Sequence, residues 1–536
     1  MAATCHSAPH ILLVYPRFDG NHVVSFSGMV PFYPGRRNVM PPLGLLTFAG
    51  CLPSDWPVRL IDENVEPVVE ADLRWADVVV LSGMHPQRRR IQEILRQANA
   101  LGKLTVLGGP SVSITPEFYP QADLLHVGEL GDGTVRLLDF LRTASGKPAR
   151  QMVFETGEKM PLDEQPLPEL RLVDVNRYLI MPLQFSVGCP YRCEFCDIPI
   201  IYGRQPRAKS AARVIRELQA IYDTGFVGTL SFVDDNLIGD RRALHELLPK
   251  LVRWQQAHRY PYPLSGEASL DLASDPESLR GLHDARFTHL FVGVESLDGD
   301  TLHAIAKKHN TRQPILEAIR NIQAYGIEVM LGLILGFDND SEQTGERIIK
   351  FVEESAVPFV LLNLLAALPK TPLWQRLEAE GRLLPAPDED PLRSDVLLTA
   401  MTTNVRYRLP NEVVVAMLHD VVRNLYHPDN LYRRLRWNAE HVYGRQIQGV
   451  PPMHNLRQTW GVLAFTLGIL LRVVWGIGIR RGHRRQFWGF LRDLVRLRLQ
   501  GRIHSILEVL LRVTPNAYHL ITWGENLLRS HAKAEY

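Results

Sequence analysis

Ser186-Val-Gly-Cys-Pro-Tyr-Arg-Cys-Glu-Phe-Cys-Asp197 is the stretch that decides the fold of this chain, and it carries thiols at Cys189, Cys193 and Cys196. Three thiolates at this spacing can ligate a four-iron four-sulfur cluster and leave one iron without a protein ligand. Soft thiolates select iron–sulfur chemistry, and the open iron is a place for a substrate or cofactor. The alternative is a zinc knuckle, but such sites normally close with a fourth cysteine or a histidine at short range. No cysteine follows Cys196.

The spacing Cys-x-x-x-Cys-x-x-Cys, with Phe195 before the last cysteine, resembles the motif of the radical S-adenosylmethionine superfamily. The resemblance implies that the free iron binds the amino and carboxylate groups of S-adenosylmethionine. It also implies that an electron from the cluster cleaves this cofactor to methionine and a 5'-deoxyadenosyl radical. Phe195, Cys189, Cys193 and Cys196 are therefore the first candidate site residues.

The composition is that of a large globular protein. A chain of 536 residues with 46% hydrophobic residues predicts two or three domains with sizeable cores. Five cysteines, three of them clustered, favour a reducing compartment over a disulfide framework. No basic segment followed by an apolar one opens the chain, so we expect no signal peptide and a cytoplasmic location.

The first region, residues 1–145, alternates strand and helix patterns. Apolar runs rich in β-branched residues predict strands at 10–15, 58–61, 78–81, 104–107 and 124–127. Helices are predicted at 43–51 and 87–101. Continuous apolar strands separated by helices are typical of a doubly wound parallel sheet, so the fold class is α/β.

Small residues follow three of these strands, at the edge where ligands of such sheets bind. The candidate binding residues are Ser82, Gly83, Met84, Gly108, Gly109, Gly128 and Glu129. They would let a large flat ligand approach the backbone, although ordinary tight turns of a flavodoxin-like fold are the alternative. Neither a phosphate loop nor Gly-x-Gly-x-x-Gly occurs here, which disfavours a nucleotide.

Placed before the cysteine motif, this region resembles the cobalamin-binding domain of the cobalamin-dependent radical S-adenosylmethionine enzymes. Met40-Pro-Pro-Leu-Gly-Leu45 and Gly108-Gly-Pro110 also resemble that family. The Asp-x-His-x-x-Gly motif that gives cobalt a histidine in other cobalamin proteins is absent. We therefore expect cobalt without a histidine below it; His85 and His22 are the nearest candidates otherwise.

Residues 146–183 contain several prolines and predict an extended linker. From 184 to 400 the alternation resumes and predicts a partial (βα)6 barrel. Its strands are predicted at 184–188, 228–233, 262–268, 288–294, 328–335 and 358–364. Its helices are predicted near 208–224, 241–257, 275–284, 311–325, 341–354 and 372–380.

Polar groups at the carboxyl ends of these strands suit a bound S-adenosylmethionine. After the second strand, Asp234 and Asp235 can accept hydrogen bonds from its ammonium group. Glu295, after the fourth strand, suits the two ribose hydroxyls, and the resembled family has a ribose contact there. The fifth strand, with Gly332, Ile334 and Gly336, resembles the strand that lies against adenine. Ser265-Gly-Glu267-Ala-Ser269 ends the third strand and is given no role.

Residues 401–536 predict a helical, basic and apolar region. Residues 453 to 536 carry 13 Lys and Arg against four Asp and Glu, which points to an anionic surface. Residues 461–479 approach transmembrane length. A charge at the centre of a membrane-spanning helix, such as Arg472, costs at least ~2.5 kcal/mol, so we expect a helix that lies against protein or on the membrane surface. Between 486 and 500, apolar and arginine faces suit an interfacial helix, with a packed helix as the alternative. The apolar content disfavours nucleic acid.

The combined resemblance is closest to the hopanoid C-2 methylase family. It rests on residues 108–113, 126–132 and 196–204 and on the order of the three regions. It implies a methylcobalamin-dependent radical S-adenosylmethionine methyltransferase that methylates an unactivated hopanoid carbon, C-2 of the A ring. It also implies an electron donor such as ferredoxin or flavodoxin, and the C-terminal region predicts peripheral contact with the inner face of the membrane. The alternatives are a related enzyme acting on a C-3 hopanoid, a natural product or a tetrapyrrole, or a non-catalytic cobalamin or iron–sulfur sensor.

Overall fold

The computed structural model describes residues 8–18, 26–143, 146–384, 403–453, 456–480 and 482–532. Within these ranges the chain forms two parallel sheets, each with helices packed on it, followed by a helical region. The predicted α/β class and the order of the three regions are thereby confirmed.

The first sheet has six parallel strands in the order β2-β1-β3-β4-β5-β6. These strands are β1 Ile11–Tyr15, β2 Val58–Asp62, β3 Val78–Ser82, β4 Leu104–Gly108, β5 Leu124–Val127 and β6 Met152–Glu155. The helices are α1 Leu43–Ala49, α2 Glu70–Trp75, α3 Arg88–Ala100, α4 Pro110–Ile114 and α5 Asp132–Thr143. Both faces of the sheet are buried: in β1, Leu12 and Val14 pack into one apolar layer, and Ile11 and Leu13 into the other. Burial on two faces is why these strands read as continuous apolar runs.

The second sheet also has six parallel strands, in the order β14-β13-β12-β11-β10-β7. These strands are β7 Ile180–Leu183, β10 Thr229–Phe232, β11 Leu264–Ser269, β12 Phe287–Glu295, β13 Glu328–Leu335 and β14 Phe359–Leu364. The helices that follow them are α6 Ile198–Ile201, α7 Ala211–Asp223, α8 Arg241–Ala257, α9 Pro276–Asp284, α10 Gly299–Ala304, α11 Ile315–Ala324, α12 Thr344–Ser355 and α13 Pro372–Ala379. The sheet does not close between β7 and β14, so it is the partial barrel that the sequence predicted.

The first strand of this barrel differs from the prediction. It lies at 180–183 instead of 184–188, and β8 Ser186–Val187 instead pairs with β9 Arg207–Ala208 in a small antiparallel hairpin. Pro182 is one of the prolines that predict an extended linker up to residue 183. Because β7 is an edge strand, paired only with β10, a residue without an N–H group is tolerated there.

The predicted linker 146–183 is likewise more regular than expected. Its beginning forms β6, which pairs with β5 in the first sheet, and its end forms β7 in the second sheet. The prolines that suggested an extended strap lie mainly between these two strands. The segment therefore ties the two sheets together through backbone hydrogen bonds at both ends.

The C-terminal region is helical, as predicted. Its helices are α14 Asn411–Leu425, α15 Pro428–His441, α16 Leu456–Val473, α17 Arg484–Leu499 and α18 Ile506–Ala532, and a π-helical turn, Val474–Ile479, continues α16.

The prediction that residues 486–500 form an interfacial helix is wrong, because the apolar face of this helix does not face a membrane. Phe487, Phe490 and Leu494 of α17 are fully buried, because α17 packs against α15 inside the protein. The packed-helix alternative is confirmed for this segment.

Candidate functional site

A cavity of about 440 Å³ opens at the carboxyl edge of the first sheet. All seven residues predicted there line it: Ser82, Gly83, Met84, Gly108, Gly109, Gly128 and Glu129. The segment Met40–Leu45, which leads into α1, forms another part of the lining. Successive parallel strands therefore bring together residues that are far apart in the chain.

Two glycines of this wall, Gly109 and Gly128, are required by the backbone conformation. Gly109 and Gly128 both have a φ of +95°, in the region that side chains other than glycine rarely adopt. A Cβ at Gly109 would also clash with Ser82 Oγ. The wall thus presents backbone rather than bulky side chains, which suits the close approach of a large flat ligand.

The opposite wall of the cavity belongs to the second sheet and to the cysteine loop. Pro182 and Gln184 reach it from β7 and the residues after it, and Val233 follows β10. Ile201 and Tyr202, a few residues after Cys196, complete it. The cavity is therefore shared between the two sheets.

Two described histidines lie near this edge of the sheet, and one ring nitrogen of each is within hydrogen-bond distance of a hydroxyl group. His85 does not line the cavity; its Nδ1 atom lies 3.1 Å from Ser111 Oγ, and burial lowers its pKa to about 4. His126 does line the cavity, but its Nε2 atom lies 2.9 Å from Thr134 Oγ1. His22 lies outside the described residues.

The three cysteines lie in the loop between β8 and α6, each partly buried and none in a disulfide. Burial raises the pKa of all three thiols above its ordinary value. The nearby Lys307 ammonium partly opposes this increase at Cys189 and Cys193. Among the described residues, no three His, Cys, Asp or Glu converge as ligands of a single metal ion. The donor set, three thiols beside a fixed positive charge, fits an iron–sulfur cluster, whose ligands bind different iron atoms.

Arg376 holds this loop against the barrel. Its guanidinium makes two hydrogen bonds, of 2.6 and 3.1 Å, to the carboxylate of Glu194, which lies between Cys193 and Phe195. Arg376 belongs to α13, which begins after Thr371 caps its first turn. The Lys-Thr-Pro segment at 370–372 therefore has a structural consequence: it starts the helix that fixes the cysteine loop.

Phe195 and Glu295 both lie close to Lys307. Lys307 Nζ lies 2.7 Å from Glu295 Oε1 and 5.9 Å from the centre of the Phe195 ring. Both side chains of the ion pair are nearly buried, with exposed fractions of 9% and 12%. Burial lowers the pKa of Lys307, but Glu295 and Cys193 outweigh it and hold that pKa above its ordinary value. Glu295 itself has a φ of +67°, a strained conformation at a bulge between β12 and β13.

Asp234 and Asp235 are adjacent in sequence but have different surroundings. Asp234 is fully buried and accepts hydrogen bonds from the amides of Phe185 and Ser186 and from the Ser186 hydroxyl. Its carboxylate thus fixes the start of the cysteine loop. Asp235 accepts one bond of 2.7 Å from the Gly188 amide and is only partly buried. Burial raises the pKa of Asp234 to about 7 and that of Asp235 to about 6.

Glu267 is a charged residue without a role in the sequence-based prediction of the site. It lies in β11 and faces the inside of the barrel. Its side chain is exposed to water there, although protein atoms surround it on most sides. This burial, together with the charges of Asp235, Asp234 and Glu295, raises its pKa to about 7. The signal in the sequence was a lone charge within an otherwise small and apolar strand.

Gly332, Ile334 and Gly336 lie on or just after β13, as predicted, and Ile334 is partly exposed. A Cβ on Gly332 would meet the Phe291 ring at 2.7 Å, and one on Gly336 would meet the Tyr407 ring at 2.5 Å. Both glycines are therefore needed to fit aromatic rings of this chain, a reason that the sequence did not indicate.

An ion pair joins the first sheet to the hairpin after the cysteine loop. The two carboxylate oxygens of Glu129 lie 2.6 and 2.7 Å from Arg207 Nη2, and Lys159 Nζ lies 2.6 Å from Glu129 Oε1. Glu129 thus lines the cavity and also attaches its wall to β9. We call this contact the Glu129–Arg207 latch.

Comparisons with known proteins agree with this architecture. The B12 binding domain profile matches residues 36–138, the radical SAM superfamily profile matches residues 183–352, and a domain of unknown function (DUF4070) matches residues 371–532. A hopanoid C-2 methylase of Rhodopseudomonas palustris (strain TIE-1) is 40% identical over 99% of this chain and 97% of its own length. The chain belongs to the cobalamin-dependent radical S-adenosylmethionine methyltransferases.

Other members of this family are more distant. A bacteriochlorophyllide d C-12(1)-methyltransferase of Chlorobaculum tepidum is 24% identical over 71% of this chain and 81% of its own length. Among solved structures, the cobalamin-dependent radical enzyme OxsB matches with a TM-score of 0.59 at 17% identity, covering 99% of this chain and 81% of OxsB. The methyltransferase TsrM of Kitasatospora setae gives the same TM-score at 15% identity, covering 92% of this chain and 99% of TsrM. These two structures share the fold.

Membership of the cobalamin-dependent radical S-adenosylmethionine methyltransferases confirms the predicted enzyme class over that of a non-catalytic sensor. The cofactors of the protein are a four-iron four-sulfur cluster, S-adenosylmethionine and cobalamin, as predicted.

Proposed function

We propose that this enzyme methylates C-2 in the A ring of a hopanoid lipid. The observation that carries the proposal is the 40% identity to a hopanoid C-2 methylase, which extends over 99% of the chain and so includes the C-terminal region. The apolar and basic character of that region supports a lipid substrate independently, because it suits contact with a membrane.

We assign the site residues as follows. Cys189, Cys193 and Cys196 hold the iron–sulfur cluster. Asp235 and Glu267 face the ammonium group of S-adenosylmethionine, because each has a carboxylate oxygen free for it, whereas the oxygens of Asp234 already serve the loop backbone. Glu295 receives the ribose hydroxyls while Lys307 holds its carboxylate in place. Together the bound cofactors supply a methyl donor and a radical that removes hydrogen from an unactivated carbon.

We assign residues 1–145 to cobalamin binding, with the corrin against the glycine-rich wall of the cavity. Gly83, Gly108, Gly109 and Gly128 present backbone to that ligand, and Phe195 and the backbone of β13 remain candidates for the adenosyl group. We assign the second sheet, which begins with β7 at residue 180, and its helices to the radical barrel, and the helical region from α14 to α18 to contact with the lipid. We place the protein in the cytoplasm, reduced by a ferredoxin or flavodoxin and touching the inner face of the membrane through its C-terminal region.

Lipid analysis tests the substrate. Cells that contain the gene should hold 2-methylhopanoids, and cells that lack it should lose them, as measured by mass spectrometry. Anaerobically reconstituted protein with cobalamin, reductant and S-adenosylmethionine should form 5'-deoxyadenosine and a methylated hopanoid. Unchanged hopanoids in both experiments would refute the substrate, and methylation of a C-3 hopanoid, a tetrapyrrole or a natural product instead would replace it.

Two cysteine variants test the cluster assignment. Cys193→Ala should lose bound iron and sulfide and form no deoxyadenosine. Cys51→Ala is the matched control, because Cys51 is also a free and partly buried thiol but lies in the first domain. Retained deoxyadenosine formation in Cys193→Ala would contradict the assignment.

A further inference from the structure

The outer face of α16 is an exposed apolar stripe. Its side chains recur every three or four residues, so they share one face of the helix. We call this set the outer stripe: Leu456, Trp460, Leu463, Leu467, Leu471 and Trp475. Trp460 is 70% exposed, and the three leucines 463, 467 and 471 are 56%, 55% and 61% exposed. A contiguous exposed surface of six large apolar side chains is typical of an interaction site.

The inner face of the same helix is fixed to the protein. Phe465 and Gly468 contact the segment around Tyr33 and Pro34, and Gly476 lies against Phe32. Arg472 Nη1 donates a hydrogen bond of 3.0 Å to the carbonyl of Pro31. The helix is therefore held in place with its apolar stripe directed away from the part of the protein that the structure describes.

By length and composition, Gln458–Ile479 is the one helix among the described residues that suits a membrane span, with a mean hydropathy of 2.1. The core helix of a soluble protein can have the same length and composition. The inner-face contacts favour a helix that lies flat, because a spanning helix would have to give them up.

Positive charge follows the stripe along the chain. Arg480 ends the π-helical turn after α16, and exposed arginines of α17, which packs against that turn, are Arg484, Arg485, Arg492 and Arg496. Trp488 of α17 is also exposed at its ring, and its Nε1 donates a hydrogen bond of 2.8 Å to Gly478, which ties α17 to the end of the stripe. Tryptophan and arginine around an apolar face are typical of helices at an anionic lipid interface.

We propose that the outer stripe of α16 is the surface through which this enzyme lies on an anionic lipid bilayer. Leucine and tryptophan side chains enter the boundary between headgroups and acyl chains, and the flanking arginines contact the phosphates. The inference deepens the proposed function and rests on it for the choice of a membrane lipid as substrate, but its own evidence is the exposed stripe. It assigns a role to part of the region that matches a domain of unknown function.

The stripe is also connected to the cavity. The inner face of α16 packs on residues 31–36, and the chain continues from there to Met40–Leu45, which line the cavity. A bilayer on the outer stripe would thus lie on the far side of a segment that ends at the reaction site. This arrangement suits an enzyme whose substrate comes from the bilayer.

Vesicle sedimentation with the full-length protein tests the proposal. We expect binding to vesicles that contain phosphatidylglycerol, weaker binding to phosphatidylcholine alone, and a decline with added salt. Leu463→Gln/Leu467→Gln/Leu471→Gln should reduce binding on the order of tenfold or more, because three apolar contacts with the lipid are lost. Val135→Gln/Val153→Gln is the matched control, since both valines are exposed apolar residues of the first domain, and it should bind like the wild type.

Three outcomes would overturn the proposal. The first is a triple variant that keeps its circular dichroism and thermal transition and binds as the wild type does. The second is a wild-type dimer in sedimentation velocity that the triple variant converts to a monomer, with no vesicle binding by either protein. The third is protein that alkaline washing fails to release from cell membranes, which would indicate a span. None of these measurements requires methylation, so vesicle binding without hopanoid methylation would refute only the proposed substrate.

Discussion

Removing Arg207 should separate radical formation from methylation. Its guanidinium holds both oxygens of Glu129, at 2.6 and 2.7 Å, and so attaches the cavity wall of the first sheet to the hairpin that follows the cysteines. Arg207→Ala leaves the cysteines, Glu295 and the glycine wall intact. It loosens the contact that sets the position of one cofactor site relative to the other.

The size of the effect follows from the burial of the pair. The Glu129 side chain is 9% exposed and that of Arg207 is 32% exposed. Breaking a buried ion pair costs roughly 3–5 kcal/mol, whereas exposed pairs contribute about 1 kcal/mol or less. Because Lys159 still neutralises Glu129 in the variant, we expect a loss of about 1–2 kcal/mol, or roughly a 5- to 30-fold weaker contact.

The assay is the ratio of deoxyadenosine formed to methylated product. Deoxyadenosine formation depends on the barrel, so it should change little, while the ratio should rise about tenfold as methylation falls. The control is Arg74→Ala in the first domain, whose ion pair with Glu70 is 65% exposed on both sides and should not affect the ratio.

An unchanged ratio in Arg207→Ala would refute the reasoning, and so would an equal decline of both products. The charge exchange Glu129→Lys/Lys159→Glu/Arg207→Glu provides a further check, because both ion pairs of residue 129 are restored with their signs reversed. It should recover part of the coupling that the single variants lose. Failure to recover while each single variant is defective would indicate that Glu129 acts on the ligand directly.

Three other changes test the site. Lys307→Ala leaves Glu295 nearly buried and unpaired, so we expect a loss of roughly 3 kcal/mol in denaturant unfolding and weaker binding of S-adenosylmethionine, whereas the exposed neighbour in Lys308→Ala should matter little. Burial and the charges of neighbouring carboxylates raise the pKa of Glu267 to about 7, so its contribution to stability is present at low pH and is lost as the pH rises through 7. Glu267→Gln should make the decline of the unfolding free energy between pH 4.5 and 7 less steep, while Asp234 and Asp235 still contribute to it. Gly336→Ala should destabilise the protein by at least ~1 kcal/mol in thermal unfolding, because the residue has a φ of +106° and contacts the Tyr407 ring; a stability equal to the wild type would contradict that packing.

The alternating pattern of the sequence predicted most of the fold. Parallel strands that are buried on both faces must be apolar throughout, so runs such as Val78–Ser82 and Leu104–Gly108 are visible without any partner. The prediction failed for the first strand of the barrel, because an edge strand tolerates a proline that a central strand does not. Pro182 is excluded from a central strand but not from β7, and nothing local shows that β7 has a single neighbour.

The glycine-rich wall of the cavity was predictable because its residues lie at or just after the ends of strands of one sheet. The barrel site was less so, because burial and pairing decide which carboxylates are available. Asp234 and Asp235 look equivalent in sequence, yet one is consumed by the backbone of residues 185 and 186. The partner of Glu295 could not be predicted either, since Lys307 reaches it from a turn that precedes α11.

The helical region shows the same limit for amphipathic patterns. The face of α17 that carries Phe487 and Phe490 has the spacing of an interfacial helix, but a helix packed in a core has that spacing too. Only the tertiary contacts with α15 distinguish the two. In α16 the outer stripe was hidden, because apolar residues on both faces gave a nearly uniform run.

The cysteine loop is both a candidate cluster site and a part of the cavity wall, and this dual role explains how the two halves of the enzyme are kept in register. The stretch from Cys196 to Arg207 passes along the cavity at Ile201 and Tyr202 and ends at the latch with Glu129. The β8–β9 hairpin closes this stretch, with Ser186 opposite Ala208, so its length is fixed by backbone pairing. This short piece of chain therefore helps to set the separation of the two cofactor sites, together with the segment between β6 and β7. An insertion within this short piece would move one site relative to the other while leaving the residues of each site unchanged.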